Sequence, residues 1–273
     1  MAAPVTFRLN FVGDVMLGRL IDQLMPAHVN EPSEAQTAHM LMQRRPELRG
    51  YNVNIPWGNS LPLFEEGDLN LINLETAVTA HHKKWPNKVF NYRMHPDNAK
   101  SLHVPRIDYA GLANNHTLDF SRNGLLETVK TLKDAGIKYA GAGSDREEAT
   151  APAVLQLSRN SERGGNKAHY VHVFAAADHP QDWAAESGFN FIEYSRATRA
   201  RLKAEITKKR DTVPSLKVFS VHWGPNYSWQ PAKDIRSLAH FLIDECGVDL
   251  IHGHSSHQVQ GVERYKGKLI IYG

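Results

Sequence analysis

Short apolar runs that each end in polar residues are the feature that most constrains the fold of this chain. Apolar runs of this length, bounded by Gly, Asn or Asp, are typical of β-strands. We predict strands over residues 5–12, 69–74, 109–113, 170–177, 216–221, 248–251 and 269–272.

Helical patterns lie between several of these runs. Residues 123–135 place Leu125, Val129 and Leu132 on one face, and residues 232–246 carry a similar apolar face that ends before Gly247. Residues 194–209 predict a charged, exposed helix. Strands that alternate with helices indicate an α/β fold in which helices cover the sheets.

The length of 273 residues suits one large domain, residues 1–273. Two segments depart from the strand and helix pattern, at about residues 21–67 and 80–100. Both are rich in Pro, Asn, His and charged residues, and we interpret them as insertions around the mouth of a site. Residues 158–168 are polar and predict a hairpin or mobile loop.

Composition excludes several classes of function. Hydrophobic residues make up 41% and charged residues 22%, as in a soluble globular protein. The net charge of +3 implies no strongly basic surface, so we expect no nucleic-acid partner. No stretch approaches the ~18 apolar residues of a membrane span, and the N-terminus lacks a signal-peptide pattern. We therefore expect a cytoplasmic protein by default, with Cys246 as a buried structural thiol.

Polar side chains with metal-binding chemistry follow the predicted strands. In open α/β sheets, ligands collect at the carboxyl ends of the strands. The candidates at these ends are Asp14, Glu75, Asn115, His116, His222, His254 and His257. They offer carboxylate, amide and imidazole groups but no thiolate, a set that suits one or two divalent ions such as Mn, Zn, Fe or Mg.

Each candidate also has an ordinary structural interpretation. Asp14 fits simple turn chemistry, Glu75 fits a helix cap or an exposed position, and residues 114–116 fit a hydrogen-bonded turn. His222 fits a core histidine with satisfied hydrogen bonds, and the last two histidines fit coincidence in a chain with 15 histidines. His252 is a weaker candidate. The convergence of six strand ends favours the metal site over these alternatives.

The motifs that contain these residues resemble those of a known family. They are residues 11–19 (FVGDVMLGR), 73–76 (NLET), 112–119 (LANNHTLD), 221–224 (VHWG), 253–257 (GHSSH) and 260–263 (QGVE). In this order they resemble the CapA family of capsule or poly-γ-glutamate synthesis proteins, whose fold is similar to that of calcineurin-like metallophosphoesterases. The resemblance covers nearly the whole chain. It implies a four-layer α/β/β/α sandwich, with two packed mixed sheets flanked by helices and metals at one end.

The resemblance also implies a role for each candidate. Asp14 and His257 would bind a first metal, and Glu75 would bridge two metals. The second metal would be bound by Asn115, His222 and His254. In a two-metal site the ions lie ~3.5–4 Å apart and stabilise charge on a phosphoryl oxygen.

His116 would be the catalytic imidazole, oriented by Asp119. In its protonated form it would donate a proton to the leaving oxygen.

Some residues depart from the phosphoesterase pattern. Met16 stands where calcineurin-like enzymes carry the histidine of an Asp-x-His motif, and a thioether is a poor ligand for hard ions. Glu75 stands where aspartate is usual, and the last histidine pair has one extra residue. The CapA family shares these departures, which leave one metal position weak or empty. The family also continues beyond the position of Gly273, so we expect a truncated C-terminus.

Two functional hypotheses follow. The first is a metal-dependent hydrolase acting on a phosphoester or related substrate. The second is a non-catalytic, metal-containing component that binds an anionic polymer, such as poly-γ-glutamate, during synthesis or export. A groove for that polymer would be lined by Lys83, Lys84, Trp85, Lys88, Arg93, Trp223, Tyr227 and Trp229, although an ordinary solvated loop also fits these residues. A third possibility is a degenerate relative without metal. The oligomeric state is left open.

Overall fold

The computed structural model of the protein describes residues 6–157 and 168–273, which form an α/β fold with two main sheets. The strands of the first sheet are β1 (Leu9–Val15), β2 (Leu69–Leu74), β5 (Tyr109–Gly111) and β6 (Lys138–Ala140). They lie in the order β1-β2-β5-β6, and every pairing is parallel. Every residue of β2 is buried, as expected for a parallel strand covered on both faces.

The second sheet is mixed. Its strands are β7 (Ala153–Leu157), β8 (His169–Ala177), β9 (Pro214–His222), β10 (Leu250–His254), β11 (Val262–Tyr265) and β12 (Lys268–Ile271). They lie in the order β11-β12-β10-β9-β8-β7, with β7 and β11 as antiparallel edge strands. A small parallel ribbon pairs β3 (Ala77–Val78) with β4 (Arg93–Met94).

The two sheets pack face to face around one apolar core. Leu71 and Tyr109 of the first sheet share this core with Val173 and Val218 of the second. The α-helices are α1 (Arg19–Leu24), α2 (Pro32–Arg44), α3 (Leu61–Glu65), α4 (Ser121–Asp134), α5 (Arg146–Thr150), α6 (Arg196–Thr207) and α7 (Lys233–Cys246). α4 packs beside β3 and β6, whereas α6 and α7 pack with the second sheet in a separate core. The expected arrangement of sheets flanked by helices is confirmed.

The helix predictions agree with the structure to within a few residues. α4, α6 and α7 occupy the three predicted segments. Leu238 and Leu242 of α7 are fully buried, and the helix ends at Gly247, whose φ of 68° and ψ of 35° place it in the left-handed region. Glycine adopts this conformation without strain, which explains why the helix stops there.

The strand predictions place the site residues slightly wrongly. β1, β9 and β10 continue through Asp14, His222 and His254, so these residues are the last or next-to-last of their strands instead of following them. The strand expected over residues 5–12 was wrong at both ends, because β1 begins only at Leu9 and continues past a β-bulge between Phe11 and Asp14 to Val15. The predicted loop at residues 158–168 lies almost wholly outside the described residues.

The two segments interpreted as insertions contain regular structure. Residues 21–67 include α2, α3 and the 3-10 helices Pro46–Gly50 and Ile55–Ser60. Residues 80–100 contain β4 and most of the 3-10 helix Pro96–His103, and a further 3-10 turn is Gln181–Trp183. Among the described residues, no helix is long and apolar enough to cross a membrane.

Candidate metal centre

The carboxyl ends of the central strands meet at one edge of the packed sheets. Asp14 pairs with Asn73 across β1 and β2, and His222 pairs with His254 across β9 and β10. A cleft of about 680 Å³ opens over this edge, with Asp14, Glu75 and His254 among its lining residues. Parallel pairing therefore brings together side chains that are far apart in sequence.

Asp14 is fixed from several directions. Its Oδ1 accepts a hydrogen bond from Asn73 Nδ2 at 2.7 Å, and its Oδ2 accepts one from the backbone N–H of Ser255 at 3.2 Å. Burial raises the pKa of the Asp14 carboxyl, but the hydrogen bonds with His222 and Asn73 outweigh burial and lower it overall. Asp14 is therefore an ionised carboxylate held in one orientation.

A first group of potential ligands consists of Asp14, His222 and His254, whose ligand atoms all lie within 4.8 Å of one another. Asp14 Oδ1 is 3.6 Å from His222 Nδ1 and 3.7 Å from His254 Nδ1. The two Nδ1 atoms are 2.9 Å apart, and Ser220 Oγ lies 3.1 Å from His254 Nε2. Burial lowers the pKa of both imidazoles, which keeps them in the neutral form that binds metals.

A second group shares Asp14 with the first and adds Glu75 and His257. His257 Nε2 is 3.4 Å from Glu75 Oε1 and 3.7 Å from Asp14 Oδ2. Burial and the negative charge of Asp14 raise the pKa of Glu75 to about 8. The ligand oxygens of Asp14 and Glu75 lie within 4.8 Å of each other. Two carboxylates at this distance repel each other, and a cation between them would relieve the repulsion. Asp14, not Glu75, is the carboxylate common to both groups.

The loop after β10 holds the second group in an unusual conformation. Ser255 has a φ of 99° and His257 a φ of 54°, both in the left-handed region that side-chain-bearing residues rarely adopt. Such backbone strain is concentrated at functional sites. Met16 lines the same cleft as Asp14 and Glu75, so a thioether-bearing side chain occupies the position in the motif where related enzymes carry a histidine.

His116 and Asp119 form a buried pair next to the second group. His116 Nδ1 is 2.6 Å from Asp119 Oδ2, and His116 Nε2 is 3.9 Å from Glu75 Oε1. Burial lowers the pKa of the His116 imidazole, although the Asp119 carboxylate opposes this effect. The ring also stacks on Tyr92, with centroids 4.1 Å apart. This geometry fits an imidazole that Asp119 orients toward the cleft.

The donor set fits a divalent ion. Asn115 Oδ1 and His222 Nε2 are buried and have no hydrogen-bond partner among the described residues. Buried polar atoms without a partner are costly, so Asn115 Oδ1 is available to a ligand that the chain itself does not supply, whereas His222 faces the first group through Nδ1. Together with the two groups that share Asp14, these oxygen and nitrogen atoms suit Mn, Zn, Fe or Mg.

Three supporting residues, Asn73, Asn114 and Lys88, were not among the candidate metal ligands or catalytic residues, although Lys88 was among the residues expected to line a polymer groove. Asn73 is fully buried, and its Oδ1 accepts a hydrogen bond from Asn114 Nδ2 at 3.1 Å, which continues the network that fixes Asp14. Lys88 contacts both Asp119 and His116. Asn73 could have been noticed in the sequence, because it is a polar residue within the apolar run of residues 69–74. Lys88 has no such signal because its contacts arise only in the folded chain.

These features define a class of protein: an α/β sandwich with a carboxylate and histidine site at the carboxyl ends of its strands. The family model described as bacterial capsule synthesis protein PGA_cap matches residues 8–273. The chain belongs to this family.

Similar proteins agree with that assignment. A Mycobacterium tuberculosis protein named "Probable polyglutamine synthesis accessory protein" is 36% identical over 96% of this chain and 71% of its own length. The Bacillus anthracis capsule biosynthesis protein CapA is 27% identical over 99% of this chain and 60% of its own length. The Bacillus subtilis PGA biosynthesis protein CapA is 24% identical over 96% of this chain and 60% of its own length. The resemblance to the CapA family is confirmed.

Proposed function

We propose that this protein is a metal-dependent hydrolase that acts on a phosphoester or a related substrate. The observation that carries the proposal is the position of Asp14, which belongs to both groups of ligand atoms. A paired imidazole stands at the edge of the second group, with His116 Nε2 3.9 Å from Glu75 Oε1. Ligands for ions and a group that transfers protons are thus adjacent.

The first ion position, formed by the first group, would use Asp14, His222 and His254, and the buried, unpartnered Asn115 Oδ1 would be a further ligand. It corresponds to the second metal that the family resemblance implies. The second would use Asp14, Glu75 and His257, so that Asp14 takes the shared position that the family resemblance gave to Glu75. A divalent ion bound there would act as a Lewis acid toward a phosphoryl oxygen. Because Met16 replaces the histidine that calcineurin-like enzymes carry in this motif, the second position would have one nitrogen ligand fewer than theirs, and Met16 lines the cleft.

His116 and Asp119 would perform the proton transfer. The Asp119 carboxylate holds Nδ1 of His116 at 2.6 Å and leaves Nε2 facing the cleft. When the ring is protonated on both nitrogens, the proton on Nε2 can pass to the oxygen that leaves the substrate and Nδ1 keeps its proton on the Asp119 side, a contribution of ~10²–10⁴-fold for a well-placed general acid.

The test uses bis(4-nitrophenyl) phosphate with Mn²⁺ or Zn²⁺. We expect turnover in the parent protein and its loss in His116→Ala, while calorimetry shows unchanged metal binding. The control is His240→Ala, because His240 is partly exposed and stacks on Tyr265 with centroids 3.8 Å apart, in contact with Glu263 instead of the cleft. Equal turnover in His116→Ala and the parent would remove His116 from the mechanism.

The second candidate function is the non-catalytic component that binds an anionic polymer. Met16 in the cleft and the exposed side chains of Tyr227 and Trp229 favour it. Two of the residues expected to line the polymer groove are inaccessible, however: Trp223 is buried, and Arg93 is buried against Glu31. Binding of poly-γ-glutamate without turnover across Mn²⁺, Zn²⁺, Fe²⁺ and Mg²⁺ would support this candidate over the hydrolase.

A further inference from the structure

Asp119 is a fully buried carboxylate, and residues of the 80–100 segment supply two of its three donors. Lys88 Nζ donates to Oδ1, and the backbone N–H of Tyr92 donates to Oδ2 at 2.5 Å. His116 Nδ1 provides the third contact at 2.6 Å. A buried charge must be paired and hydrogen-bonded, so the position of the Asp119 carboxylate depends on this segment as well as on His116.

The ammonium group of Lys88 contacts both members of the pair. Besides Asp119, Lys88 Nζ donates to the carbonyl oxygen of Phe90 at 2.9 Å and lies 3.1 Å from His116 Nδ1. The ring of Trp183 covers it, with Nζ 5.6 Å from the ring centroid. The side chain of Lys88 is only 17% exposed, so its ammonium group is enclosed by protein and faces the Asp119–His116 pair.

The chemistry of these groups fixes which atom of His116 faces the cleft. An ammonium group can only donate hydrogen bonds, and a ring nitrogen has a single hydrogen-bonding direction in the plane of the ring. Nδ1 of His116 therefore donates to the Asp119 carboxylate, and Lys88 satisfies the other carboxylate oxygen. Tyr92 stacks on the ring and prevents it from tilting. Nε2 is left facing Glu75.

We propose that Lys88 is a positioning residue that holds Asp119 in place and thereby orients the His116 ring with Nε2 toward the cleft. Its effect on turnover rests on the proposed hydrolase function, whereas its effect on the ring can be measured without turnover. The contacts of Lys88 are with Asp119, His116, Phe90 and Trp183. Because it acts on the catalytic pair and not on the substrate, its loss will lower kcat and leave KM nearly unchanged. Partners that orient active-site groups are typically worth about 10- to 100-fold in activity.

The kinetic test compares Lys88→Met, Lys88→Gln and Lys88→Arg in hydrolysis of bis(4-nitrophenyl) phosphate with Mn²⁺. We expect kcat to fall about 10- to 100-fold in the first two variants and to recover partly in Lys88→Arg, which keeps the cation. Lys88→Gln keeps a polar side chain but is uncharged and one bond shorter, so it withdraws the donor from Asp119, and it carries the test if Lys88→Met does not fold. The control is Lys100→Met, because Lys100 is an exposed lysine of the same segment. Parent kcat in Lys88→Gln, or a rise in KM alone, overturns the proposal.

The second measurement follows the ring directly. In ¹⁵N-histidine-labelled protein with Zn²⁺, the His116 signals, assigned by their loss in His116→Gln, should report a proton on Nδ1 in the parent. In Lys88→Gln the His116 nitrogen shifts should move toward those of a mixture of tautomers, while Lys100→Met leaves them unchanged. Unchanged His116 shifts in Lys88→Gln overturn the proposal even if the parent hydrolyses nothing, whereas a shift together with no parent turnover removes only the hydrolase function.

Discussion

Asp14 and His254 lie on different sheets, yet Asp14 Oδ1 and His254 Nδ1 are 3.7 Å apart. Their strands pack across the interface between the sheets, where the rings of Phe11 and His252 are 5.3 Å apart. A metal ion bound by these two residues would join the sheets at their carboxyl edge. The packing of the core therefore sets the geometry of the candidate metal centre, and ion binding would in turn stabilise the fold.

The first prediction concerns this stabilisation. A ligand that binds only the folded state adds RT ln(1 + [L]/Kd) to the unfolding free energy, or about 2.7 kcal/mol at 100 times its Kd. We expect Mn²⁺ or Zn²⁺ to raise the midpoint of thermal unfolding of the parent protein. Asp14→Asn should abolish the increase because both ligand groups contain Asp14. An equal increase in the variant would place the bound ion elsewhere.

The second prediction concerns Asn73, whose Nδ2 donates to Asp14 at 2.7 Å. Asn73→Ala frees the Asp14 carboxylate to rotate, and such supporting residues are typically worth about 10- to 100-fold in metal affinity. Calorimetric titration with Zn²⁺ measures the effect, with the exposed Asn54→Ala variant as the control. If Asn73→Ala and Asn54→Ala bind Zn²⁺ equally, Asn73 does not orient the ligand.

The third prediction concerns Met16. Met16→His places an imidazole in the cleft beside Asp14 and Glu75, and imidazole is a better ligand than a thioether for borderline ions. We expect tighter binding at the second ion position, measured as a lower Kd for Zn²⁺. Met16→Leu keeps the size of the side chain without a ligand and should leave the Kd unchanged. A Kd for Met16→His that matches Met16→Leu contradicts the placement of that ion position.

The fourth prediction concerns the pH dependence of stability. Burial, followed by the charges of Arg210 and Lys217, lowers the pKa of His172 below its ordinary value of 6.5. The unfolded chain therefore takes up a proton near pH 6.5 that the folded protein still excludes. The contribution of His172 to the unfolding free energy is fully present above pH 6.5. It is lost as the pH falls below 6.5, by at most about 1.4 kcal/mol per pH unit.

Urea unfolding between pH 7.5 and 5.5 tests this expectation in the parent and in His172→Gln. The other titrating groups are common to both proteins, so the difference in slope reports His172. The slope should be smaller in the variant. Parallel curves for the two proteins would show that His172 takes up its proton equally in both states.

The sequence predicts the long periodic elements of this fold well. α7 is one example, since its apolar face and Gly247 mark both its orientation and its end. The short edge elements were missed for physical reasons. β6 has three residues, too few to show a period, and β11 alternates exposed and half-buried residues at the edge of its sheet. A tight turn with positive φ at Lys266 and Gly267 joins β11 to β12.

The candidate site, like the fold, could be predicted from the sequence only in part. Asp14, His222 and His254 could be nominated from sequence because each is a polar residue at the end of an apolar run. The roles of Asn73 and Lys88 could not, since a hydrogen bond to Asp14 or to Asp119 depends on which strands and segments become neighbours. The shared position of Asp14 in both ligand groups likewise follows from the packing of the two sheets.

The most direct test of the central claim is the metal content of the purified protein, measured as the ratio of ions to chains by elemental analysis. The expected result is one or two ions of Mn, Zn, Fe or Mg per chain in the parent, with at most a trace in Asp14→Asn, since Asp14 belongs to both ligand groups. A parent protein that retains no ion after incubation with each metal, or an Asp14→Asn variant with the same ratio as the parent, would contradict the metal centre.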